Sequence, residues 1–377
     1  MKKAMPILIL GLISIISCSK KEASHIVETI DGVKIVRNLS IPGDGASPSI
    51  LFVEDLVLGG EERGGADLFY APVDIDADAD GRLYVLDSKD ITVKQFDRSG
   101  AFLRAIGKGG QGPGEFEHPT SLEVLPDGRI LVSDPYQRRN SFFDAGGVFL
   151  SSSTVEKYIE GLEAGGDGRI VAGYQDSERS EYVAGVLDLA TGGLSPVFRQ
   201  AAFWPARVMN DRFQYDLPYF VRWAADSRGR LIFGAAGSYE FSVFNAAGGL
   251  AFKFRRDRAP VPVEGEMRVE IEKMTAQKPF FQKEPNPYLK DIHFPFFESL
   301  TVDEKDRIWV QEYQPKWRDR LNPDTPYEVF SPDGIYLFRT RLPGHITSKL
   351  LFKNGFLYVL KKNPSGFPLA VRYRIKE

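Results

Sequence analysis

The chain has 377 residues, 43% of them hydrophobic and 26% charged, with a formal net charge of −3. So even a balance gives no dominant field, which argues against nucleic acid or an anionic membrane surface as an electrostatic partner. The length would suit two or three ordinary domains, so internal repeats must decide the domain count.

At the start, Lys2 and Lys3 precede an apolar run from Met5 to Ile16 that is broken only by Pro6, Gly11 and Ser14. This is the anatomy of a secretory signal, expected over residues 1–17. The run falls short of the about 20 residues that a membrane-crossing helix needs. Its end, Ile15-Ile16-Ser17-Cys18, resembles the bacterial lipobox, and that resemblance implies cleavage before Cys18 and acylation of its sulfur and amine. Two or more acyl chains anchor a protein stably. Ser19, where an inner-membrane retention signal would place Asp, implies by the same resemblance the outer membrane of the cell envelope. Cys18 is the only cysteine, so no disulfide is expected to hold the fold. Residues 18–48 then read as a tether carrying a hairpin, Glu28 to Asn38.

From residue 49 onward one pattern occurs six times: an apolar stretch, a turn centred on Asp-Gly or its like, and a second alternating strand. The copies are Asp78–Asp87, Leu125–Asp134, Gly165–Tyr174, Asp226–Ala235, Asp303–Glu312 and Phe352–Lys361. Gly at the turn supplies the positive φ of a primed two-residue hairpin, and the flanks are β-branched and aromatic. A second turn follows most copies, as in Phe96-Asp97-Arg98-Ser99-Gly100. Each unit therefore has four strands, A to D, and units recurring at this spacing predict an all-β, six-bladed propeller over 49–377. The last unit has room for three strands, whereas Ile50–Leu58 stands unpaired before the first. The N-terminal strand is expected to complete the last blade and remove the exposed edges.

Gly107–Pro119 (GKGGQGPGEFEHP), followed by LPDGRILVSD, resembles the NHL repeat. The whole of Ile26–Glu377 resembles the six-bladed NHL-type propeller lipoproteins of bacteria, with blades three to six matching only loosely. The resemblance implies fold far more than function, since propellers serve many functions.

In a propeller the A–B and C–D turns share one face of the ring, the far face here, and the B–C and D–A connections share the other, the near face. The tight turns all belong to the far face. The long connections Gly107–His118, Arg199–Pro218, Arg255–Phe296 and Gln314–Thr325 all belong to the near face, which is therefore the expected functional face. The insert at about 257–297, between blades 4 and 5, includes a helix predicted over Glu264–Lys278, with Met267, Ile271 and Met274 at helical spacing. It either covers the channel mouth as a lid or simply packs on the rim.

Aligning the blades by their A–B turns brings Tyr70, His118, Tyr158, Tyr219, Phe296 and His345 to the near-face start of strand A. Glu160 and Glu298 lie two residues further along, and Arg222 is close by. Such residues converge on the channel mouth, either as ligand-binding groups or as a hydrogen-bonded plug. Arg138, Arg139, Trp204, Arg207, Trp317, Arg318 and Arg320 on near-face loops suit sugars or carboxylates, or are ordinary snorkelling side chains.

Gly107–Gly112 formally matches GxGxxG, but Pro113 follows and no helix opens, so a dinucleotide site is not expected. Asp76, Asp78 and Asp80 followed by Gly81 match the start of a calcium loop, with Asp87 at its twelfth position. The same residues already serve as the first A–B hairpin, which makes calcium a weak candidate. No zinc spacing or nucleophile elbow is present, and His118 and His345 meet only if the fold brings them together across the ring.

With no catalytic cluster and no cofactor implied, the reading that follows is a membrane-anchored binding or scaffold protein. It would grip a peptide, glycan or partner protein through the long-loop face. The alternative is a metal-assisted lyase or hydrolase working in the channel, as the NHL-type resemblance allows.

Overall fold

A computed structural model describes residues 24–39, 50–60, 65, 68–176, 178–179, 181–201, 207–209, 214–216, 220–276, 292–314 and 324–377. Cys18 and the signal segment lie outside the described residues, as do Tyr219, Trp204, Trp317, Arg318 and Arg320 and the Arg207 side chain.

Six antiparallel sheets make up the ring. Strands A to D of blade 1 are Pro72–Ala77, Leu83–Asp87, Thr92–Phe96 and Phe102–Ile106. Blade 2 runs from Ser121–Val124 to Phe149–Thr154, and blade 3 from Leu162–Ala164 to Leu194–Ala201. Blade 4 runs from Val221–Ala225 to Leu250–Arg256, and blade 5 from Phe297–Val302 to Tyr336–Leu342. The chain's C-terminal segment supplies three strands of blade 6, Leu351–Lys353, Phe356–Lys362 and Pro368–Lys376, and Leu51–Gly59 supplies the fourth. That closing strand pairs antiparallel from Leu51 opposite Lys376 to Gly59 opposite Leu369. Asp55 fastens it: burial opposes its charge, but Arg372 and Arg374 hold its carboxyl below the usual range.

The core lies between blades. Six clusters of buried apolar side chains are present among the described residues, and each joins two adjacent blades. One joins Leu58, Tyr358 and Leu360 of blade 6 to Ile75, Val85 and Phe96 of blade 1, which closes the circle. Strand B of blade 1 shows how the sequence encodes this. Leu83 and Val85 face blade 6, whereas Tyr84 and Leu86 face blade 2. The strand is thus buried on both faces. A blade has a neighbour on each side, so the alternation sorts residues between two interfaces, and each fully buried large side chain contributes roughly 1.5–3 kcal/mol. Strand D, at the outer edge, keeps solvent-facing positions, as in Phe102–Ile106.

Five of the six A–B turns differ from expectation, each with a single residue at positive φ: Gly81, Gly128, Gly168, Gly229 and, in blade 5, Asp306. Blade 6 has the expected primed two-residue turn, with Asn354 and Gly355 both at positive φ between the paired Lys353 and Phe356. In blade 2, Gly128 N–H donates to Leu125 O and Leu125 N–H to Arg129 O. That is a three-residue loop ending in one left-handed residue, which a Pro-Asp-Gly sequence favours over a primed turn.

The tether hairpin forms as His25–Ile30 and Val33–Asn38. Its second strand lies parallel to strand D of blade 4, with Ile35 opposite Lys253, and extends that sheet to six strands. The Asn38 amide crosses to blade 5, donating to Gly334 O at 2.8 Å and accepting from Tyr336 N–H at 2.7 Å. The helix spans Gly265–Ala276 and buries Ile271. Among the described residues no helix is long and apolar enough to cross a membrane.

Candidate functional site

The innermost strands of the ring carry carboxylates in otherwise buried runs, and these meet on the axis. Asp74 and Asp76 come from blade 1, Glu123 from blade 2 and Glu163 from blade 3. Asp74 accepts from Leu122 N–H at 2.9 Å and Asp76 from Val124 N–H at 2.6 Å, so blade 1 carboxylates tie down the inner edge of blade 2. From blade 6, the Lys349 ammonium reaches Glu123 at 3.0 Å and Glu163 at 2.8 Å and donates to Leu162 O at 3.2 Å. Lys353 pairs with Asp76 at 2.9 Å. Burial pushes the Glu123 carboxyl up to about 8 against the pull of Lys349, and pushes Asp74 up to about 6. The Lys349 ammonium is held well above its ordinary value, because Glu123, Glu163 and Asp74 outweigh the burial that opposes its charge.

This cluster forms a waist, since Glu163 and Lys349 line both a far-face and a near-face cavity. The far cavity, about 580 Å³, is ringed by the A–B turns. Its polar groups are engaged in holding those turns. Asp78 takes the Arg82 amide and guanidinium and the Tyr84 hydroxyl, Asp226 pairs with Arg230 at 2.6 Å, and Asp303 takes Arg307 and the Trp309 indole N–H.

The near cavity, about 330 Å³, gathers Glu160 of blade 3, Arg222 of blade 4, and Glu298 and Gln311 of blade 5. Arg222 stacks on Phe220 with its guanidinium 4.1 Å from the ring centroid and donates to Glu298 O and Val221 O. Among the described residues it makes no ion pair. Glu160 accepts from the Tyr182 hydroxyl at 3.2 Å. Its flanking protein raises its pKa by desolvation, against the pull of Arg222 and that hydrogen bond. Trp223 and Ser299 complete this wall.

The sequence-aligned positions thus divide. Glu160, Arg222 and Glu298 line the near cavity together. Tyr70, His118 and Tyr158 are exposed and line neither cavity. Tyr70 and His118 are fixed through their backbones: the strand B terminal residues Asp87 and Asp134 accept from Tyr70 N–H at 2.7 Å and His118 N–H at 3.1 Å. Lys89 and Lys94 cover the Tyr70 ring. His345 is exposed and lines neither cavity, and His118 packs on Tyr136, 4.4 Å between centroids, rather than on His345. Phe296 belongs to the apolar cluster between blades 4 and 5.

The calcium-like run does not assemble as a loop. Asp87 spends its oxygens on four backbone amides at the near face, Asp76 points to the waist, and Asp80 pairs with Arg82. Among the described residues no group of three or more His, Cys, Asp or Glu side chains is arranged to hold a metal. The glycine-rich stretch wraps a core residue: a Cβ on Gly107 would lie 2.1 Å from the Phe116 ring. Arg139 is absorbed here too, donating to Gln111 O and Glu115 O. The helix lines neither cavity, in keeping with packing on the rim.

Sequence reasoning missed Lys349, Asp74, Glu123, Glu163, Gln311 and Tyr136, and singled out Asp76 only as a weak calcium candidate. The carboxylates carried a signal, since a charged residue inside a buried strand next to the turn motif must face the axis. Tyr136 carried none, because it stands on a short B–C connection.

Residues 74–159 match the DUF5128 family, described as a 6-bladed beta-propeller. A search of curated protein sequences gives no significant match. Among solved structures, a protein of Bacteroides fragilis NCTC 9343 described as exported aligns with a TM-score of 0.52 at 13% identity, covering 91% of this chain and 100% of its own. A DUF4221 family member from Bacteroides vulgatus ATCC 8482 aligns at 0.50 and 14% identity, covering 87% and 98%. At these identities the likeness is one of architecture, and this chain is an all-β six-bladed propeller.

Proposed function

We propose that this is an exported, lipid-anchored binding or scaffold protein that takes a peptide, glycan or partner protein on its near face. The observation that carries the reading is the near cavity. Three blades converge Glu160, Arg222 and Glu298 on one space, and the guanidinium there makes no ion pair among the described residues. Convergent polar groups held by a rigid scaffold are what ligand binding needs, whereas the far cavity spends its charges on the turns. Export is supported by the signal-like N-terminus and by the described export of the B. fragilis protein of like fold.

Immobilised mature protein, exposed to an envelope extract separated into protein, peptide and carbohydrate fractions, should retain material from one of them. Arg222→Ala and Glu160→Gln should abolish that retention, and the far-face variant Arg129→Ala should not. Equal retention by all three variants would sink the reading. For the anchor, Cys18→Ser should move the protein from the membrane to the soluble fraction. Membrane association that survives the change would rule out attachment through that residue.

A further inference from the structure

We infer that the near-face ligand is a carbohydrate chain, stacked on His118, Tyr136 and Tyr158 and read by the cavity beside them. The inference rests on the binding reading above and narrows it to one chemistry.

The three rings come from different connections, those from blade 1 to 2, within blade 2 and from blade 2 to 3, yet they form one continuous surface. His118 and Tyr136 centroids are 4.4 Å apart, and Tyr136 and Tyr158 are 5.9 Å apart at 74°. Tyr136 is 64% exposed and Tyr158 48%. Large rings left in solvent on pinned loops are unspent apolar area with polar tips. Asp134 does the pinning, accepting from the backbone N–H groups of Glu117, His118 and Gln137.

Tyr158 lies two residues before Glu160, a residue of the near-cavity lining. Beyond it stand planar polar groups, the carboxylates of Glu160 and Glu298, the Gln311 amide and the Arg222 guanidinium. A sugar ring has an apolar C–H face and a rim of hydroxyls that both donate and accept. It therefore matches an aromatic surface next to carboxylates and amides.

A peptide adding as a strand to the inner edge of blade 2 would find no free amides there. The inner-edge amides of Leu122 and Val124 are already taken by Asp74 and Asp76. A nucleic acid would meet the carboxylates first.

The test is affinity electrophoresis of the full mature protein in detergent through gels holding a neutral β-glucan, xylan, a chitin-derived oligosaccharide conjugate or polygalacturonate. At least one should retard it. Tyr136→Ala should weaken that binding tenfold or more, Tyr136→Trp should keep it, and near-UV circular dichroism should show both folded. Selective retardation by polygalacturonate that Arg222→Lys removes would assign Arg222 to a sugar carboxylate, and retardation by a neutral glycan would assign it to hydroxyls. Retardation by none of the four, or binding indifferent to Tyr136→Ala, overturns the inference. If envelope material is still retained in an Arg222-dependent way, the broader binding reading survives that failure.

Discussion

On the far-face side of Lys349, Asp78, Asp226 and Asp303 each meet an arginine and the amides of their own turn. On the near-face side, Arg222 rests on Phe220 and two carbonyl oxygens, and Tyr136 and Tyr158 hold their rings in solvent. The same inner strands line both spaces. The difference teaches that exposed charge and ring area in this ring are not spread evenly. Where the connections are tight turns, polar groups are consumed in folding. On the near face Asp87 and Asp134 are likewise spent on backbone amides, but the Arg222 guanidinium and the Tyr136 and Tyr158 rings keep capacity to recognise something else.

The largest expected effect lies at the waist that both halves share. Lys349→Met leaves Glu123 and Glu163 facing each other without a cation and should cost about 3–5 kcal/mol of stability by urea unfolding near pH 9, where the Glu123 carboxyl is ionised. A loss below about 1 kcal/mol would mean that Lys349 holds the waist no more firmly than an exposed ion pair would.

Next comes pH. Asp74 at about 6 and Glu123 at about 8 both lie above their ordinary values of 3.8 and 4.5. The folded chain therefore holds more protons than the unfolded chain between those limits. This contribution is full below about pH 4 and is lost as pH rises toward 8, with a slope of about 1.4 kcal/mol per pH unit where one proton differs. The unfolding midpoint should be higher at pH 5.5 than at pH 8, and Glu123→Gln should flatten the upper part of that curve. An unchanged slope in the variant would move the effect away from the waist.

A far-face substitution sharpens the contrast at smaller cost. Asp303→Ala strips partners from the Trp309 indole and from the Lys305 and Arg307 amides, and should destabilise by about 1–3 kcal/mol with no change in ligand retention. The near-face counterpart inverts the pattern. Tyr136→Ala should shift stability by less than about 0.5 kcal/mol, measured by thermal unfolding, and still remove binding. If the two variants exchanged these signatures, the division between a structural and a recognising face would be reversed.

Six turn motifs and an unpaired early strand were enough to expect the ring and its closure, because local hydrogen-bonding needs and alternation repeat along the chain. Glu160 and Glu298 were legible because both sit at one offset from their blade's A–B turn, and Arg222 because it lies close by in blade 4. The same rule picked His345, which faces solvent, because one offset cannot record how a connection between blades bends. The geometry of five of the A–B turns was misread because one Gly at positive φ suits a primed two-residue hairpin and a three-residue loop alike.

By itself, then, the sequence determined the repeat and the number of blades, which follow from hydrogen bonding and burial between neighbours in the chain, and the strand that completes the last blade, because one strand is spare at the start where one is missing at the end. Only the tertiary structure decided that Lys349 of the last blade reaches Glu123 and Glu163 of the second and third. It also decided that the tether hairpin docks on blade 4 and that Tyr136 joins His118 and Tyr158. These are contacts across a closed circle, where side chains distant in sequence meet because of the angle at which each sheet is set about the axis. No local period in the chain encodes that angle.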